Sequence, residues 1–276
     1  MNRYLKLVNF EFNRFLIFYL VLIGITIIGQ IIAVVGKAKQ YMNQANNAIF
    51  TEGMSKIAFI DSYGTMSFIN IYHNFWFIAP IMLCGATLVL YVFFIWYRDW
   101  FGKNTFSYRL FMVPTNRLNI YLAKLTTILL FTLGLVALQI ILIVIGDQIL
   151  KWMIPDEYLT EFSLMAISNY DELGILLPKS ILGFLLTYGG GLVIVCVIFT
   201  AILLERSYRF IGILYGLLYG ALSCFIFFIP MLFNAFIVVD YFYPLELFIL
   251  EVIAAVMILA GAIWIGNYLL KHKIRV

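Results

Sequence analysis

Apolar residues run through this chain in six blocks, each long enough to form an element by itself. The blocks fall at about Phe15–Gly36, Phe75–Tyr97, Ile120–Ile145, Leu182–Leu204, Phe210–Phe233 and Leu247–Leu270. A helix of about 20 apolar residues crosses a bilayer core. Barrel strands would instead alternate polar and apolar residues in short segments. The pattern predicts an all-α integral membrane protein with six transmembrane helices in one domain, 1–276. Ahead of the first block, Met1, Tyr4, Leu5, Val8, Phe12, Phe15 and Leu16 recur at helical spacing. Asn2, Arg3, Lys6, Asn9, Asn13 and Arg14 take the opposite face. This predicts an interfacial amphipathic helix over 1–14, lying in the headgroup plane before the chain turns across. The first block is too long for a signal-peptide core and follows a helix, so it is not read as a cleaved leader.

The connections carry their own pattern. Lys37–Asn74 is a mixed polar loop with room for short helices, and Asp147–Lys179 is an acidic loop with six acids against Lys151 and Lys179. Trp152 and Tyr158 suit a membrane surface. Asn234–Glu246 is too apolar to prefer water, yet Pro230 and Pro244 interrupt a helix there. Non-helical backbone at membrane depth must be covered by protein or line a wet cavity. That predicts a short re-entrant connection before span six. The longest polar interruption, Arg98–Lys124, lies between the second and third blocks.

Composition agrees with the pattern: 64% of residues are hydrophobic and 12% charged, with a mean hydropathy of +1.01. Soluble domains average about half apolar and a quarter charged. Six spans put both termini on one side. If that side holds the N-terminus, Arg98–Lys124, Glu205–Arg209 and the tail, it carries thirteen of the eighteen Lys and Arg. Only Glu11, Asp99 and Glu205 accompany them. By the positive-inside rule this side is cytosolic, which makes the 147–179 loop extracellular and the protein a multi-pass plasma-membrane chain. The net charge of +4 averages a basic inner face with an acidic outer one, and does not point to nucleic acid.

Candidate chemistry is sparse. Cys84, Cys196 and Cys224 all fall inside spans and read as small apolar core residues, with no zinc-ligand spacing or disulfide framework. Span five carries Gly212, Gly216 and Gly220 on one face, a stripe that permits close helix approach within the chain or between subunits. Tyr215 and Tyr219 flank it and could line a path for an amphipathic substrate. The run Gly189-Gly190-Gly191 in span four reads as a flexible or kinked region. Glu251 is the only acid well inside a span and sits near its outer end, where snorkelling is cheap. Gln30 and Gln139 each read as an interhelical hydrogen-bonder rather than a substrate contact. The two histidines, His73 and His272, lie far apart, and no HExxH, GxSxG or GxxxxGK[ST] occurs. The chain thus reads as a non-enzyme with no cofactor of its own.

The Arg98–Lys124 segment resembles the permease subunits of ABC-2 type transporters, the exporters with the type V fold. The resemblance rests on Asp99 after span two, a polar stretch ending in Thr105, and the run Leu110-Phe111-Met112-Val113. Pro114, Arg117 and Lys124 then lead into span three. Asn104 stands where family members often have glycine. The amphipathic N-terminus, six spans and the broken connection before span six extend the likeness over the whole chain. It implies that Phe106–Val113, within a cytosolic coupling segment over 98–124, is a coupling helix docking into a separate ABC ATPase. Phe106, Leu110 and Val113 share one helical face, with Lys103 and Arg109 able to fix register. ATP and Mg would be held by that partner. A second permease protomer, the same or a different chain, would pair around a central path. The cargo class is amphipathic or lipophilic: a peptide, lipid or drug. Two alternatives remain open: a secondary transporter driven by an ion gradient, and a peptide-sensing regulatory membrane module of an ABC complex.

Overall fold

The computed structural model describes residues 3–72, 74–100, 116–160, 174, 176–178, 180–237 and 242–274. It is 91% helical. Among the described residues eight α-helices run in order: α1 Arg3–Phe50, α2 Lys56–Tyr63, α3 Phe68–Tyr72, α4 Phe75–Trp100, α5 Arg117–Met153, α6 Ile181–Tyr208, α7 Phe210–Leu232 and α8 Pro244–Tyr268. Six of them, α1 and α4 to α8, are long and apolar enough to cross a membrane. Their outward side chains are large and apolar, as at Ile17, Phe94 and Leu217. Such a surface suits hydrocarbon far better than water.

Several boundaries differ from the sequence reading, each for an identifiable reason. The chain does not turn after Arg14: α1 is one helix of 48 residues, about 72 Å long at 1.5 Å per residue. No glycine or proline precedes Gly24. One buried stripe also continues through the proposed turn: Val8, Glu11, Phe15, Tyr19, Leu22, Thr26, Gln30, Val34, Ala38, Tyr41, Ala45 and Ala48. With the 3.6-residue period unbroken, a bend at Arg14 would only forfeit hydrogen bonds. The acidic loop begins later than Asp147, because α5 runs on to Met153. There Asp147 and Lys151 pair one helical turn apart at 2.7 Å. Gly189-Gly190-Gly191 lies inside unbroken α6. Glycine disfavours helix by about 1 kcal/mol each, but non-helical backbone in hydrocarbon leaves polar groups without partners. Pro230 does not end α7. It sits in the helix's last turn, and a π turn over Phe233–Ile237 follows. The rest of the proposed re-entrant connection, 238–241, lies outside the described residues. Cys84 and Cys196 are buried, but Cys224 is exposed.

The described chain divides into two compact units. The first comprises 1–14, 88–129 and 182–276. Its centre is aromatic, with Trp96 and Tyr121 each set edge-on to Phe199 at 5.5 Å between ring centroids. Tyr121 donates its hydroxyl to the Cys196 carbonyl at 3.2 Å. Thr200 bridges two helices, donating to the carbonyls of Cys196 and Ala262. Between α6 and α7 the chain reverses at Arg209, the one non-glycine among the described residues with a left-handed φ (56°). The reversal presses the start of α7 onto the end of α6. A Cβ on Gly212 would collide with the backbone of Leu204 and Glu205, and one on Gly216 would sit 3.0 Å from the Ala201 carbonyl.

The second unit comprises 15–87 and 130–181. Ala33, Val34, Ala38, Tyr41, Ala45 and Ala48 of α1 pack there with Phe59, Phe68, Ile71, Phe77, Ile143, Leu150 and Tyr158. Small residues on the helix admit large ones opposite, so the aromatic side chains interlock. Ser55 caps α2 by accepting from the Ala58 N–H at 3.2 Å. Gly64, with φ 74°, ends it, and its carbonyl accepts the Tyr41 hydroxyl at 2.8 Å. Deeper along the helices, Gln30 donates to Gln139 at 2.8 Å, so each takes the interhelical bonding role expected of it and the two are each other's partner.

The Gly212 contact yields a stability prediction. Gly212→Ala forces a methyl against backbone that cannot move aside and should cost about 2 kcal/mol. Gly220 meets nothing within 4 Å, so Gly220→Ala should be neutral or slightly stabilising. Thermal unfolding in detergent micelles separates the two, and equal effects would contradict the close α6–α7 approach.

Candidate functional site

Three helices of the first unit bring charged residues into one buried cluster. The apolar stripe of α1 is interrupted by Glu11, one turn after Val8 and one before Phe15, so the carboxylate points inward. Arg14 follows one turn on. Arg98 and Asp99 close the last turn of α4, and Lys124 sits two turns into α5. The Lys124 side chain is fully buried. Its ammonium donates to Glu11 Oε1 at 2.8 Å, to Asp99 Oδ2 at 2.5 Å and to the Ile95 carbonyl at 2.7 Å. All three of its protons thereby find acceptors. It also lies 5.1 Å from the Trp96 ring centre, a cation–π arrangement.

The arginines complete the arrangement. Arg14 donates to Asp99 Oδ1 at 2.7 Å, and Arg98 to Glu11 Oε2 at 2.9 Å. Each carboxylate oxygen therefore accepts from one cation, and Glu11 Oε2 also lies 3.7 Å from Arg14, with three cations around two acids. Glu11 and Asp99 are each 2% exposed, and ions so far from water are tolerated only when paired and hydrogen-bonded. Nearby in the same unit, Tyr97 donates its hydroxyl to Glu205. Arg206 lies over the rings of Tyr97 and Trp100. All three acids on the basic end, Glu11, Asp99 and Glu205, are thus engaged internally.

The residues singled out in the sequence fare unequally. Asp99 is a member of the cluster. Arg117 reaches the far end of the chain instead, donating to the Leu270 and Ile274 carbonyls at 2.5 and 3.2 Å. Lys103, Thr105, Phe106, Arg109, Leu110, Val113 and Pro114 lie outside the described residues. Gly212 and Gly216 are spent on packing against α6, while Gly220 is open. Tyr215 is exposed and sets its ring edge-on to Tyr208 at 5.4 Å. Tyr219 is half-buried. Glu251, the one acid flagged within a span, is also half-buried. Reading the sequence overlooked the Glu11–Lys124 pairing, although a signal was present. Lys124 is the one base inside the third apolar block, and Glu11 sits at core spacing among apolar residues.

The cluster's coupling is measurable. Lys124→Met strips a proton donor from both carboxylates and Asp99→Asn removes an acceptor from two cations, each costing about 3 kcal/mol. The double variant should cost at least 1 kcal/mol less than their sum, because the second change removes a group the first has already orphaned. Chemical unfolding of the four proteins in detergent gives the cycle. Additivity within about 0.4 kcal/mol would mean that the pair is not energetically linked.

No protein-family model, no curated protein and no solved structure matches this chain.

Proposed function

We propose that this chain is the membrane-embedded permease subunit of an ATP-driven ABC exporter, carrying an amphipathic or lipophilic cargo and worked by a separate ATPase. In this reading both termini and the 98–124 segment face the cytosol, and the ATPase docks on Phe106–Val113. The observation that supports it best is the anchoring of that segment. Asp99 and Lys124, at its two roots, share a hydrogen bond of 2.5 Å and a common partner in Glu11. A segment that transmits force needs stiff roots, since a compliant joint would absorb the displacement before any helix moved. Four charge-assisted bonds around a buried lysine and two buried carboxylates make such a joint. Displacing the segment then biases α1, α4 and α5 together, and two arrangements of these helices with different affinity for cargo would give alternating access.

The same buried lysine and carboxylates favour one rival reading, a transporter driven by an ion gradient, since such proteins place ionisable groups inside the bundle. Proteoliposomes distinguish the two. An exporter moves a lipophilic dye only with the ATPase and ATP present, and a protonophore leaves the rate unchanged. A gradient-driven protein behaves in the opposite way.

The docking face gives a sharper prediction. The protein should co-purify with an ATPase encoded beside it. Leu110→Asp should abolish stimulation of ATP hydrolysis while membrane insertion is retained. Unchanged stimulation would remove Phe106–Val113 as the contact.

A further inference from the structure

The first unit carries a second charged feature that the proposed coupling role does not use. Where α6 gives way to α7, Tyr208, Arg209 and Phe210 are all exposed, Phe210 to 88%. The π turn that ends the chain's last helix, Leu269–Lys273, presents exposed Lys271, His272 and Lys273. The two segments meet, with Lys273 lying 5.6 Å from the Tyr208 ring centre. His272 packs on Tyr268, itself half exposed, at 5.1 Å. Arg117 holds the base of this tail through its carbonyls, so the basic residues stand on an ordered support.

We infer that this surface binds the headgroups of anionic phospholipids. Charge complementarity favours that occupant. The acids on this end are engaged with buried partners or with Tyr97, so among the described residues the exposed charge around Tyr208 is positive only. The aromatic residues say at what depth the surface sits. Phe210 begins an apolar helix and is almost wholly exposed, which favours acyl chain around it. Tyr208 and Tyr268 have the half-apolar, half-polar character found at headgroup level. Basic residues just beyond a span, with aromatic side chains between them, recognise lipid phosphate.

Arg209 supplies an independent argument. Its φ of 56° is a conformation that glycine adopts freely and other residues hold at a cost of roughly 1–3 kcal/mol. Nothing in the hairpin requires a side chain there: Arg209 makes no side-chain cap on α7. An arginine at such a position places an exposed guanidinium at the turn between the two helices.

The inference rests only on the membrane-spanning part of the proposed function, not on the ATPase. Native mass spectrometry on the full chain, purified in detergent and mixed with equal phosphatidylglycerol and phosphatidylcholine, tests it. Phosphatidylglycerol should be retained preferentially. At roughly fivefold per basic residue, the Arg209→Gln, Lys271→Gln, Lys273→Gln triple variant should lose the preference by about a hundredfold. Arg209→Gly should separate structure from binding: the thermal midpoint rises while the preference falls about fivefold. Lys271→Arg should keep both. The proposal is overturned if the wild type binds the two lipids equally, if the triple variant retains phosphatidylglycerol as the wild type does, or if millimolar inorganic phosphate displaces the lipid fully. That last result would make the surface a free-anion site. Loss of the exporter reading would instead appear as no stimulated ATP hydrolysis, with lipid preference intact.

Discussion

Withdrawing an ammonium and two carboxylates from water costs several kcal/mol per ion even after the protein relaxes around them. The fold offsets this at Lys124 by meeting every proton: Glu11, Asp99 and the Ile95 carbonyl all accept from it. Such a cluster is a poor source of net stability, because apolar side chains of similar volume would often serve as well or better. What it does impose is register. Only one rotation of each helix aims Glu11, Asp99 and Lys124 at the same point, and a shift by one residue leaves a charge unpaired. The lengths and spacings of α1, α4 and α5 at this end follow from that requirement.

The same logic governs the rest of the molecule on a smaller scale. Helices among lipid tails gain no hydrophobic drive from touching one another, so association relies on close packing and on interhelical hydrogen bonds. In the first unit, Thr200 and Tyr121 supply bonds and Gly212 and Gly216 supply close packing. In the second, Thr26 reaches Cys84 at 3.2 Å and Gln30 reaches Gln139. Gly29 leaves no room for a side chain against the Pro80 ring. The polar members of the α1 stripe, Glu11, Thr26 and Gln30, sit where an apolar residue would give burial but no partner choice.

Periodicity made the six long helices legible, because each block keeps its apolar character for five turns or more. Their ends were less so. Nothing in the run from Arg14 to Phe15 marks a helix boundary, and an amphipathic stretch looks the same whether it lies on a surface or continues into a span. Pro230 and the triple glycine are breakers by propensity, yet hydrocarbon penalises an open backbone more heavily than it penalises a poor helix former. The ion cluster was the hardest part to foresee. Glu11 and Lys124 are 113 residues apart, and local pattern carries no information on partners at that separation. Lys124 drew attention only through the resemblance of the surrounding segment, while Glu11 entered only as one of three acids on the basic side.

Among the six long helices, α6 and α7 bury the smallest share of their apolar windows, 6% and 11%. In water such helices would not hold, but in hydrocarbon an exposed leucine costs nothing, so low burial is no defect there. It means instead that a few contacts fix this hairpin: the reversal at Arg209, the glycine approach and the Thr200 bonds. All lie in the half of the hairpin nearest the reversal. Gly189, Gly190, Gly191 and Gly220 have no neighbour within 4 Å of where a Cβ would stand. Sub-global motions draw on regions of low contact. In the proposed exporter, α7 lines the path of the cargo. In that reading a hairpin that buries so little of itself shifts with few core contacts to break.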